Sequence, residues 1–215
     1  MKEKDYITTM PIPEAVDLGL PSGIKWASFN LGASKPEEYG YYYGWGCTEP
    51  YADDEDVDWT PYIEKLGGTG AGESDYGTEK DPLKDYVDPN DKSIAGTKWD
   101  VARQKLGGAW RMPTVNEIIE LLNKDNCDWQ WTTENGVNGY KVTSTKNGNS
   151  IFLPAAGNRD GTSLRRAGSD GNYWSSSPFP YFRCHAYHLD FSSDLYGCYG
   201  GIGRFFGFPM RPVSE

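Results

Sequence analysis

Glycine and proline break this chain at short intervals, together making up 40 of its 215 residues. A chain interrupted so often cannot build a helical bundle, because these are the two poorest helix formers. It is nevertheless too aromatic to stay disordered, since 8 Trp and 15 Tyr supply rings that favour burial. Rings packed between many turns describe a loop-rich α+β domain, and the length suits one sizeable core better than two.

A formal net charge of −10 leaves no basic stripe to neutralise phosphates, which argues against a nucleic-acid partner and against anionic membrane surfaces. No run of about 18 apolar residues occurs, so no membrane insertion is expected. Residues 1–13 are charged and polar without an apolar stretch, so no signal peptide is expected in this sequence. Cys47, Cys127, Cys184 and Cys198 follow no close metal spacing, and four cysteines in this length do not make a disulfide scaffold.

Residues 1–15 read as a tail ahead of a single domain at 16–215. Gly23 to Leu31 alternates like a strand, and the aromatic GYYYGWG at 40–46 suits a second short one. An acidic, Gly-rich insertion follows at about 51–97, with DDEDVD at 53–58 and GGTGAG at 67–72; it reads as a solvated surface loop. A weak helix covers about Trp99 to Leu106. The clearest helix opens at Pro113-Thr114: Thr114 caps it, Glu117 stands at capping-box spacing, and Ile118, Leu121 and Leu122 share one face. Three hairpin-like pieces come next, at Asp128–Thr133, Gly139–Ser144 and Ser150–Ala155. Their joints are Glu134-Asn135-Gly136 with Asn138-Gly139, and Asn147-Gly148-Asn149. Residues 156–172 read as irregular, while Asn172–Ser177, His185–Phe191 and Phe208–Val213 read as strands.

Four groups of segments carry a resemblance. They are VDLGLPSGIKWASFNLGA (16–33) with YGYYYGWGCTEP (39–50); GGAWRMPTVNEIIELL (107–122); GVNGYKVTSTKNGNSIFLPAAGNRDGTSL (136–164); and NYWSSSP (172–178) with RFFGFPMRPV (204–213). In these the chain resembles the Fibrobacter succinogenes major paralogous domain family, common in Bacteroidetes proteins and their phages. That family is similar to the C-type lectin-like fold of formylglycine-generating enzymes and of the variable proteins of diversity-generating retroelements. The resemblance implies one or two helices with a mainly antiparallel sheet and long loops. It also implies a rigid scaffold whose C-terminal variable segment, here about 178–209, contacts a protein or glycan receptor. Display on a phage virion or a bacterial surface goes with it, as does a homo-oligomer that raises avidity.

Such retroelements mutate adenines in AAC or AAT codons, which reaches fifteen amino-acid types but never Lys, Glu, Gln, Met or Trp. Those five types make up 40 of the 215 residues, so about six are expected in 32 residues. Between Pro178 and Pro209 there are none. The same stretch holds both histidines of the chain and many Tyr, Phe, Gly and Ser.

Within it, Leu189, Phe191, Arg204 and Gly207 resemble framework positions, as do Arg211, Pro212, Trp174 and the Ser175-Ser176-Ser177 run. Period two then leaves Phe179, Tyr181, Phe182, Arg183, His185, His188, Asp190, Leu195, Tyr196, Tyr199, Phe205 and Phe206 as the expected ligand-binding surface. Tyr, Phe and Arg give a binding surface large area at low rotor cost. The alternative reading is an undiversified Bacteroidetes surface or extracellular paralogue with a glycan-binding or structural role.

No catalysis, metal or cofactor is expected. WRMPT before a helix resembles formylglycine-generating enzymes, yet their closely spaced copper-binding cysteine pair is missing, Cys184 and Cys198 being fourteen apart. His185 and His188, three apart on a strand, point to opposite sides and cannot share a metal. Glu49-Pro50-Tyr51 and Trp174-Ser175-Ser176 lack the amide and carboxylate oxygens of calcium-dependent sugar sites. Neither a Gly-x-Ser-x-Gly elbow nor a Walker loop is present.

Overall fold

A computed structural model describes residues 10–51, 93–182, 185–198 and 200–215. Most of the acidic insertion, including 53–58 and 67–72, therefore lies outside the described residues, as do Arg183, Cys184 and Tyr199.

The chain runs through β1 (Ala15–Asp17), β2 (Lys25–Ala27), β3 (Tyr42–Tyr43), α1 (Val101–Leu106), β4 (Trp110–Arg111) and α2 (Val115–Leu122). Then come β5 (Cys127–Glu134), β6 (Val137–Ser144), β7 (Ser150–Pro154), β8 (Asn158–Asp160), β9 (Ser163–Arg165) and β10 (Gly171–Pro178). It ends with β11 (His185–Phe191), β12 (Tyr196–Gly197), β13 (Gly201–Gly203), β14 (Phe208–Pro209) and β15 (Val213–Ser214). Among the described residues this is an α+β architecture of two helices and antiparallel sheets. Neither helix is long and apolar enough to cross a membrane.

Local chemistry explains the best-defined elements. The Thr114 hydroxyl accepts from the Glu117 amide at 3.3 Å, and the Glu117 carboxylate accepts from the Thr114 amide at 2.7 Å. This reciprocal cap satisfies two orphan donors of α2. Ile118 and Leu121 then face inward, with Leu122 packed beside them. In α1 the buried Asp100 side chain caps the helix by accepting from the Arg103 amide. Asn135 and Gly136 join β5 to β6 with φ of 48° and 84°, the left-handed pair that a two-residue hairpin turn requires.

Four details differ from expectation. Asn138-Gly139 is no turn but lies inside β6, where a Cβ on Gly139 would sit 2.3 Å from the Leu153 carbonyl oxygen. Residues 156–172 are not wholly irregular, since β8 and β9 form a small hairpin. Phe208–Val213 is not one strand, because β14 pairs with β3 while β15 inserts between β2 and β4. Pro209 and Pro212 lack the amide hydrogens a continuous ladder needs. The expected strands at 23–31 and 40–46 shrink to β2 and β3.

Two cores result. The first gathers Trp26, Ile118, Leu121, Tyr140, Leu153, Tyr173, Leu189 and Phe191 between α2, the β5-β6-β7 sheet and the β10-β11 sheet. The second gathers Tyr43, Trp45, Met112, Trp174, Ala186 and Phe208 on the other side. Near the first lies Arg211, fully buried with three oxygen acceptors. Its guanidinium donates to Asn30 Oδ1 at 2.8 Å and to the carbonyls of Ala27 at 3.0 Å and Phe152 at 2.7 Å. Burial lowers its pKa to about 10, leaving it charged at neutral pH.

Candidate binding surface

The C-terminal segment hangs on a sheet in which β11 pairs with β10 on one side and with β12 and β13 on the other. Successive side chains of β11 alternate in direction. Ala186 and His188 turn into the second core, against Trp174, Phe208 and Ile202. On the opposite face Leu189 and Phe191 enter the first core. Farther along that same face, His185 and Tyr187 are only half-buried, opposite Gly203 and Gly201 of β13.

Those two glycines make a floor without side chains. A Cβ on Gly201 would lie 2.3 Å from Phe179 Cγ, and one on Gly203 would lie 2.5 Å from Phe205 Cε1. Phe179 therefore fills the space a side chain at 201 would take, and Phe205 does so at 203. Around Phe179 stand Tyr187 at 5.1 Å and Tyr181 at 5.4 Å, both edge-to-face, and Phe182 parallel to it at 6.2 Å. The Phe182 ring meets His185 at 5.3 Å. Backbone bonds hold the loop to the strand: the Phe179 amide donates to the His185 carbonyl, and the His185 amide to that of Phe182. Even so, Tyr181 is 79% exposed and Phe182 is 44% exposed. A cluster of rings that keeps two members in solvent is unlike a core.

The expected surface residues therefore separate. Phe179, Tyr181, Phe182 and His185 come together in one platform, flanked by Phe205 and Phe206, whose rings stack at 4.4 Å. Phe206 also packs on the second core. Leu195 is 66% exposed, but it lies beyond the Phe191 end of β11, away from the platform. Tyr196 stacks on Trp129 at 4.8 Å and packs against the first core. Asp190 is half-buried on the face opposite the platform, and burial, together with Asp170, raises its pKa.

His188 is corrected. It is buried, with Trp174 and Phe208 against its ring and no hydrogen-bond partner for Nδ1. A residue three positions from the half-exposed His185 on one strand must face the other way. Burial lowers its pKa to about 4. Tyr187 was absent from the expected surface, although period two from His185 points to it.

The N-terminal aromatic block buttresses the segment from below. Arg204 is fully buried over the Trp45 ring at 4.1 Å, and its Nε donates to the His185 carbonyl. The Trp45 amide donates to the Arg204 carbonyl at 2.9 Å, and its indole donates to the Ser175 carbonyl at 2.8 Å. The Tyr51 hydroxyl donates to the Phe205 carbonyl. Ser175, Ser176 and Ser177 are all buried, and the Ser175 hydroxyl donates to the Tyr187 carbonyl at 2.9 Å. Gly207 bonds with Arg159 through both backbone groups. A rigid underside thus carries a ring-covered, partly solvated top.

Among the described residues, no group of three or more His, Cys, Asp or Glu side chains is placed to hold a metal ion. No protein-family model matches the chain, and neither does any curated protein or solved structure.

Proposed function

We propose that this chain is a non-enzymatic binding protein with a C-type lectin-like scaffold, of the kind that diversity-generating retroelements vary. Its ligand surface is the platform of Phe179, Tyr181, Phe182, His185 and Tyr187 within the segment 178–209. One observation carries this reading. The stretch that lacks all five residue types unreachable from AAC and AAT codons is also where exposed rings cluster over a buried base. Aromatic side chains with two rotors and a pre-organised backbone suit recognition of a protein or glycan receptor.

The test uses the double substitution Tyr181→Ala/Phe182→Ala. Both rings are exposed at the surface and belong to neither core, so their loss costs about 1 kcal/mol of stability. The wild-type protein is screened against intact bacterial cells and a glycan panel, with the double variant alongside. A bound target that the variant loses, at a nearly unchanged melting temperature, supports the platform. A target held equally by both proteins places the ligand site elsewhere, and a sharp drop in melting temperature makes these rings core.

A further inference from the structure

The strand that carries the platform also carries a buried imidazole. His188 points into the second core while His185 and Tyr187, together on the other face of the same strand, point out. Among the described residues its ring faces aromatic rings rather than a carboxylate, and burial alone sets its pKa. From β10 it meets the Trp174 ring at 6.3 Å, and from β14 the Phe208 ring at 5.4 Å. Its Nδ1 is buried and makes no hydrogen bond.

The titratable and charged groups nearby offer no counter-charge. The Cys198 thiol bonds to the His188 backbone, and burial pushes that thiol up to about 11, so it stays neutral. Tyr43, cross-strand from Phe208, has a buried and partnerless hydroxyl held above its ordinary range by burial. Arg204, in the layer beneath β11, is itself a cation. Asp190, two residues along on the same face, is a half-buried carboxylate, but burial is the sole cause of the His188 shift and Asp190 contributes nothing to it. Ile202 of β13 is apolar.

We propose that His188 is an acid-sensitive latch beneath the binding sheet: once protonated it cannot remain buried beside the stacked Trp174 and Phe208 rings, and β11 loosens with the rings on its other face. Protonation inside an apolar, unpartnered site is opposed by desolvation. The folded-state pKa lies near 4 against an ordinary 6.5, with burial as the cause. The stability this neutral histidine allows is complete above pH 6.5 and drains away as pH falls towards 4. The opening equilibrium of the strand rises about twenty-fold between pH 7 and pH 5. That acid loosening also releases a partner rests on the platform reading; the loosening itself does not.

Amide hydrogen exchange on the wild-type protein at pH 7 and pH 5, corrected for intrinsic rates, reads the device without any partner. The amides of β11 and β13 are expected to open about twenty-fold more at pH 5, while those of the β5–β6 hairpin change little. His188→Gln and His188→Phe remove the response, and His185→Gln keeps it. Equal protection of β11 at both pH values overturns the proposal even if neither His188 variant folds. So does an imidazole at 188 that titrates near 6.5 by NMR without disturbing β11, or a His188→Phe protein with the wild-type acid response.

Discussion

Gly201→Ala probes the floor of the platform directly. Gly201 has no positive φ, so an alanine there meets no backbone strain and only the new methyl matters. That methyl would lie 2.3 Å from Phe179 Cγ, 2.5 Å from its Cβ and 2.6 Å from its Cδ1. These atoms are the root of the side chain, so rotating the ring does not relieve the contact and the backbone of 178–180 must move. Overpacking of this kind costs about 2 kcal/mol, which is ~4–8 °C in melting temperature for a chain of this size. In a Phe179→Gly background both the ring and its Cβ are gone, and alanine in a strand gains about 0.5 kcal/mol over glycine at position 201. Thermal melts of the four proteins of this cycle measure the coupling, expected at about 2 kcal/mol. A Gly201→Ala cost that stays the same with and without the Phe179 ring refutes the packing of that ring on β13.

Gly203→Ala separates root from tip: its methyl meets Phe205 at Cε1, the far edge of the ring, so the ring can swing aside and the cost stays below that of Gly201→Ala in the same melts. Arg211→Lys keeps the buried charge but cannot serve Asn30 Oδ1, the Ala27 carbonyl and the Phe152 carbonyl together. A loss of about 3–5 kcal/mol in urea unfolding is expected, and a loss under about 1 kcal/mol contradicts the role given to that guanidinium.

How far these features were readable follows from the range over which they act. The α2 cap, the Asn135-Gly136 turn and the bounds of β11 depend on neighbours a few residues apart, and the sequence displays them. Gly139 looked like a turn residue because Asn-Gly is a turn dipeptide, but its lack of a side chain serves the close approach of β7. Phe208–Val213 looked like one strand because its apolar run gives no sign that β3 and the β2–β4 gap take separate halves. The glycine floor of β13 needs Phe179 and Phe205 brought across it, contacts that no local pattern encodes. His188 is instructive: the expected surface includes both His185 and His188, yet positions three apart on one strand face opposite ways, and His188 is the buried one. Arg204 and Arg211 are buried despite their charge, since carbonyl and ring partners come from Trp45, Ala27 and Phe152, far away in the chain.

The central claim is that 178–209 is a replaceable surface on a retained scaffold, and comparing sister copies of the gene tests it most directly. Substitutions are predicted to concentrate at Phe179, Tyr181, Phe182, His185 and Tyr187, with Leu189, Phe191, Arg204 and Gly207 unchanged beneath them. Lys, Glu, Gln, Met and Trp should stay absent from the varied positions. Substitutions spread evenly along the gene, or confined to its other segments, contradict the account.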